Sequence, residues 1–305
     1  MIKEGIELEH DKPHILEGRM LATTLPISVL GTIGNLILLW LFCCRIQKTR
    51  LTLYFLNLTI ANLIIIFCNV VVVITYFTRL YPSLIFQRVM QILHICGFDT
   101  NFYFITVIAV ERYLTATSPA WYQHHRPKNL SVAMCIFLWG LSCVVSLVNY
   151  YGCNPRFDIN LNTLLVNCKA ANIIEIIIEL IFFLPIMVCF TLAIWIRMHT
   201  RNQQTPLARI DVTIVALVLL FLIVNAPVRI ANIIAAWVFK VDLFLLGKIS
   251  LLMDSFHSAS NPFVFIIVGF WKMPKSIKLT FMFLETALKD EGCMAEKTKA
   301  DQEQA

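Results

Sequence analysis

Residues 53–76 read LYFLNLTIANLIIIFCNVVVVITY, 24 positions without one formally charged side chain. As an α-helix this run is about 36 Å long, enough to cross the ~30 Å hydrocarbon core of a bilayer. Six further runs of comparable length and character lie at 21–44, 86–113, 131–150, 171–198, 210–239 and 243–270. The composition agrees: 58% of the 305 residues are hydrophobic and 14% charged, with mean hydropathy +0.74. Soluble domains carry about 25% charged residues, and a chain this poor in them cannot build an aqueous coat. A bilayer accepts apolar helix surfaces directly, provided each backbone polar group is bonded within its own segment. The expected fold is therefore all-α and integral to the membrane: a seven-transmembrane helix bundle with a C-terminal amphipathic helix.

The net charge of +6 raises the question of nucleic acid, but the basic residues are scattered through short interhelical segments rather than along one face. They read as topology signals, and no nucleic-acid partner is expected. Arg45, Lys48 and Arg50 follow the first run, Arg126 and Lys128 the third, Arg197, Arg201 and Arg209 bracket the loop after the fifth, and Lys272, Lys275 and Lys278 follow the seventh. The opposite loops are poorer and mixed in sign. Because Lys and Arg resist translocation, the N-terminus is expected outside and the C-terminus inside a multi-pass plasma-membrane protein. The chain divides into an extracellular N-terminus (1–20), the membrane domain (21–270), an amphipathic cytoplasmic helix (271–290) and a disordered tail (291–305). In the amphipathic segment Ile277, Phe281, Leu284 and Leu288 recur at helical spacing beside lysines, which suits contact with the lipids of the inner leaflet. Cys293 follows it, either as a palmitoylation site or as a free tail thiol.

Most of the ten cysteines sit in apolar runs and read as small buried hydrophobes. With no CxxC or Cys/His spacing and no nucleophile–base pair or phosphate loop, neither a metal, a cofactor nor an enzymatic activity is expected.

Polar residues and prolines inside apolar helices are costly and usually mark structural or functional work. Here they come in a set order: Gly34-Asn35 in the first run, Asn57 and Asn62 in the second, Glu111-Arg112-Tyr113 closing the third, then Trp139, Pro185, Pro227, and Asn261-Pro262 followed by Phe265. Singly each is weak; together, in register, they resemble the class A (rhodopsin-like) G-protein-coupled receptors from about residue 21 to residue 289. Trp121-Tyr122, Arg126-Pro127-Lys128-Asn129-Leu130-Ser131 and Leu138-Trp139-Gly140-Leu141-Ser142 are similar to the Mas-related branch of that family.

The resemblance implies a receptor that carries an extracellular peptide or small-molecule signal to heterotrimeric G proteins. It implies that Glu111, Arg112, Tyr113, Pro227, Asn261, Pro262 and Phe265 form the activation switch and coupling surface. Gln87 stands where most class A receptors carry a bridging cysteine, and the branch's alternative bridge falls on Cys153 and Cys168. Leu207 occupies the span-six position where many relatives have an acid. An ionic lock on Arg112 is therefore expected to be absent, with some ligand-independent signalling as the result. Asn62 replaces a sodium-binding aspartate, so sodium modulation is not expected; Asn225 replaces a bulky tryptophan; Phe265 lacks the usual tyrosine hydroxyl.

The ligand pocket is expected between spans three, five, six and seven, with His94, Phe98, Asp99, Asn149, Asn172, Asn225, Arg229 and Asp254 as candidates. Asp99 lies 13 residues from Arg112, about 20 Å along a helix. Asp99, Arg229 and Asp254 are thus mid-membrane charges of both signs, which either pair with one another or face water and ligand. Asn149 and Asn172 stand where cationic-peptide receptors of the branch have acids, which removes that attraction. Glu175 and Glu179 lie near and have no assigned direction. A transporter or channel using the intramembrane charges as a permeation path is the competing reading, though such proteins show internal repeats or broken helices in matching halves, and neither is visible here.

Overall fold

The computed structural model describes residues 2–46, 49–80, 82–118, 122, 126–127, 129–153, 161–200, 209–235, 237 and 243–270, excluding the side chains of 2–17, 161–166, 243–244 and 269–270. Among these residues seven helices are long and apolar enough to cross a membrane: Gly18–Cys44, Arg50–Thr78, Leu84–Thr117, Leu130–Cys153, Asn167–Thr200, Arg209–Ala235 and Leu245–Val268, spans one to seven. The first belongs to a longer helix, Ile2–Cys44. The amphipathic segment 271–290, the tail, Cys293 and Leu207 lie outside the described residues.

Span three is the axis of the bundle: 72% of its apolar window is buried, against 22% for span five. Its long polar and aromatic run therefore faces protein on nearly all sides, whereas the outer spans turn Ile, Phe and Val toward lipid. The core is a ladder of rings. Phe102 stacks on Phe221 of span six at 4.8 Å, Tyr103 on Phe183 of span five at 4.2 Å. At the other end Phe265 meets Phe55 and Phe42 edge-on at 5.2 and 6.1 Å; without a hydroxyl it packs as a plain ring.

Amides join the spans where ring packing alone has no direction. Asn35 donates to the Gly31 carbonyl of its own helix (2.8 Å) and to Ser258 of span seven (3.0 Å). Gly34 permits that approach, since a Cβ there would lie 2.9 Å from Pro262. Trp139 donates to Asn57 (3.0 Å), and Asn101 to Asn62 (2.6 Å), so the position expected to lack sodium affinity is tied up amide to amide. Bonds between neutral amides are direction-setting contacts of about 0.6 to 2 kcal/mol each in membranes.

Span five departs from α geometry. Residues Ile176–Phe183 form a π-helical stretch, closed by the Leu184 amide bonding to the Glu179 carbonyl five residues back. Pro185 follows at once and has no N–H to give; widening the turns before it is one way a helix accommodates that loss. The consequence reaches the site, because the wide turns set the direction of Glu175 and Glu179.

Candidate functional site

Span three carries an ion network toward each end. At the end holding Cys153 and Cys168, which are joined by a disulfide between span four and the helix entering span five, the network centres on Arg229. Its guanidinium meets Asp99 at 3.1 Å, Glu175 at 2.7 Å and Glu179 at 3.0 Å, and lies over the Phe98 ring at 4.8 Å. Asp99 and Glu179 are almost wholly buried. Internal pairing therefore holds for Asp99 and Arg229, as one of the two alternatives had it, but Asp254 turns elsewhere: its carboxylate faces His94 at 3.5 Å. Both glutamates, left without direction by the sequence, point into the bundle. Asn149 donates to Glu175 at 2.6 Å. Asn172 sits beside the bridge, its amide 3.9 Å from the Cys168 sulfur. Asn225 is buried, and its Oδ1 has no hydrogen-bond partner among the described residues.

Ionised groups in this setting need partners, since an unpaired charge at mid-membrane costs at least ~2.5 kcal/mol on insertion scales. One arginine facing three carboxylates satisfies itself and leaves acid in surplus. Two cavities open beside it. One of about 320 Å³ is lined by His94, Phe98, Asn225, Arg229 and Asp254 among others, the second of about 280 Å³ by Asn69, Val72, Thr75, Phe86 and Met90 among others; Gln91, His94, Gly247 and Ser250 border both.

At the opposite end Arg112 bonds Asp211 of span six, Nε to Oδ1 at 2.5 Å, with both side chains about nine-tenths buried or more. This overturns the expectation of an absent lock. The acid stands on span six four residues beyond Leu207 in the sequence, so the expectation drawn from that single position does not hold. The premise for ligand-independent signalling falls with it. Asp211 also lies in the first turn of its helix, where the helix dipole favours a carboxylate.

Glu111 is held separately. Tyr122 and Arg126, from the segment after span three, both donate to its carboxylate, and Arg126 also donates to Ser131 at 2.7 Å. The Arg126 guanidinium lies over the Tyr122 ring at 5.2 Å. Burial and the bond to Glu111 push the Tyr122 hydroxyl up to about 12, so it stays a donor at physiological pH. Both residues stood in the quoted Mas-like motifs, yet neither was picked out as part of the site. Tyr113 packs edge-on against Phe190 of span five at 5.2 Å, while Asn261 is buried, with neither amide atom hydrogen-bonded among the described residues. Pro227 and Pro262 lie inside helical spans six and seven.

Residues 34–265 match the family described as "7 transmembrane receptor (rhodopsin family)". Among curated proteins, proto-oncogene Mas of rat is 29% identical over 268 residues, covering 87% of this chain and 82% of its own. Mas-related G-protein coupled receptor member A8 of mouse is 28% identical over 268 residues (86% and 87%), and member X1 of human 27% over 271 (87% and 81%). With a family match across most of the chain, Mas and Mas-related relatives along nearly its whole length, and seven spans carrying the motifs in order, the chain belongs to the rhodopsin family of seven-transmembrane receptors, in its Mas-related branch.

Proposed function

We propose that this receptor carries a signal from an extracellular ligand to heterotrimeric G proteins, with the Arg112–Asp211 pair as its resting latch. The observation that carries the reading is that pair: a permanently charged guanidinium bound across the gap between spans three and six. Guanidinium keeps its charge and its fork of donors whatever its neighbour. When span six moves away from span three, Arg112 exchanges the Asp211 carboxylate for acceptors on a docked transducer. Glu111 stays bound to Tyr122 and Arg126 and does not compete. The end bearing the Cys153–Cys168 bridge faces outward, where disulfides persist, and the Arg112 end faces the cytosol. The basic loops support the same orientation.

Basal output is low in this reading, in contrast to what Leu207 led us to expect. The experiment is nucleotide exchange on a panel of purified G proteins by ligand-free receptor in nanodiscs. Asp211→Asn should accelerate exchange several-fold on at least one subtype, and adding Arg112→Gln should abolish the gain. Folded, reconstituted Asp211→Asn receptor that matches wild type on every subtype would refute the proposal. Solute or ion flux through proteoliposomes holding the purified receptor, lost in Asp254→Asn, would favour the transporter reading.

A further inference from the structure

We infer that the paired cavity at the bridge end is a site for a small amphiphilic cation, with Asp254 and Asn225 receiving the ammonium group and the lobe between spans two, three and seven receiving an apolar arm. This deepens the receptor reading by naming the ligand's chemistry, and rests on that reading only for which side of the membrane the ligand comes from.

Three observations lead there. The first is the sign of the charge. Arg229 is the cation of the larger lobe, but Asp99, Glu175 and Glu179 bind it from behind at 2.7–3.1 Å. A guanidinium held by three carboxyl groups has little attraction left for an anionic ligand. The second is a pair of acceptors on the wall of the same lobe. Asp254, 6% exposed, lies 3.5 Å from His94 Nε2, a contact that is ionic only when the imidazole is protonated. Asn225, 2% exposed, has an Oδ1 with no hydrogen-bond partner among the described residues. Both want donors, and an ammonium brings three on a compact charge. The third is shape. The adjoining lobe is walled by Val71, Val72, Phe86, Met90 and Leu251, a surface that gains from hydrocarbon and offers little to a second charge. Together the lobes fall in the size range of small-molecule sites.

This differs from capture of a basic peptide at the bundle rim, where the corresponding positions are the amides Asn149 and Asn172 and the first of these is occupied by Glu175. Here one buried carboxylate takes one cation, and an apolar arm reaches toward span two. Gly247 borders both lobes, and a Cβ built there meets nothing within 4 Å. A large side chain at this position narrows the passage without disturbing a packed neighbour.

The test uses purified receptor in nanodiscs and no G protein, so its outcome is independent of coupling. Thermal unfolding is followed with n-alkylamines from butyl to octyl, and with the matched carboxylates and alcohols as probes. A ligand that binds only the folded state raises the midpoint by mass action. The amines should stabilise, with potency rising roughly fourfold per methylene until the lobe is full, while carboxylates should not and alcohols should do so only weakly. Asp254→Asn should reduce amine potency at least tenfold, and Gly247→Phe should flatten the dependence on chain length. Amines no better than alcohols, carboxylates better than amines, or unchanged amine potency in Asp254→Asn would each overturn the inference. Should Asp254→Asn fail to fold, an undiminished chain-length series in Gly247→Phe would overturn it alone.

Discussion

The two ends of span three meet arginines in opposite situations. Toward the coupling end the charges balance: Arg112 has Asp211, and Arg126 has Glu111. Toward the bridge end a single arginine serves three carboxylates, while a fourth, Asp254, leans on a histidine. A network of matched charges has no net charge to dispose of at rest and needs force to open, which suits a latch. One with acid in surplus has places for an added cation or proton, which suits a binding site. Each network therefore indicates the direction in which the receptor's equilibrium is pushed, since a ligand shifts a conformation only through differential affinity for its two states.

The contrast can be broken most severely at Arg229. Arg229→Gln strands three acids around one neutral amide, and removing one partner of a buried ion network costs about 3–5 kcal/mol. The expected outcome is collapse of surface expression or a thermal midpoint far below wild type, read by calorimetry or dye unfolding of purified protein. Asp254→Asn, which removes surplus charge, should leave that midpoint close to wild type. Next in size is the bridge: replacing Cys153 and Cys168 together by Ser should lose about 3 kcal/mol in the chain-entropy treatment of a 15-residue loop, checked by the same unfolding assay with and without reductant. At the coupling end, Asp211→Asn should lower the midpoint by less than the Arg229 variant while raising ligand-free exchange, because it opens a latch rather than stranding several charges. The smallest expected effect is Tyr122→Phe, which removes one hydrogen bond to a charged Glu111 that Arg126 still holds, worth about 1.5–3 kcal/mol at most. The Tyr122 hydroxyl is raised from its ordinary value of 10 to about 12. Its bond therefore contributes fully below pH 10 and is lost only as pH rises toward 12, so stability between pH 6 and 9 should show no step that disappears in Tyr122→Phe.

Much of this was legible in the sequence, and the gaps have physical causes. Seven apolar runs and their in-register motifs fixed the bundle, because lipid allows few alternatives to a helix and counting residues against bilayer thickness is a strong test. Asp99 and Arg229 stood out as charges in apolar runs, and Cys153 and Cys168 as the pair the branch predicts. Glu175 and Glu179 could not be oriented, since their direction depends on a π-helical stretch that shifts the face by part of a turn. Asp211 escaped notice because the lock was sought at one position. Scanning the next few positions of the sequence after Leu207 would have found it. Arg126 and Tyr122 were seen as signatures of kinship, yet their grip on Glu111 joins residues 11 to 15 positions apart across a loop, a contact no helical periodicity announces.

The claim on which the rest turns is that Asp211 holds span six against span three at rest. Spin labels introduced through unnatural amino acids at Ser118 and Val212 would report the gap between these spans by double electron–electron resonance in ligand-free nanodiscs. The account predicts one short distance for wild type, a second and longer population for Asp211→Asn, and return to the short distance when the charges are exchanged in Arg112→Asp with Asp211→Arg. A distribution for Asp211→Asn that superimposes on wild type would contradict it.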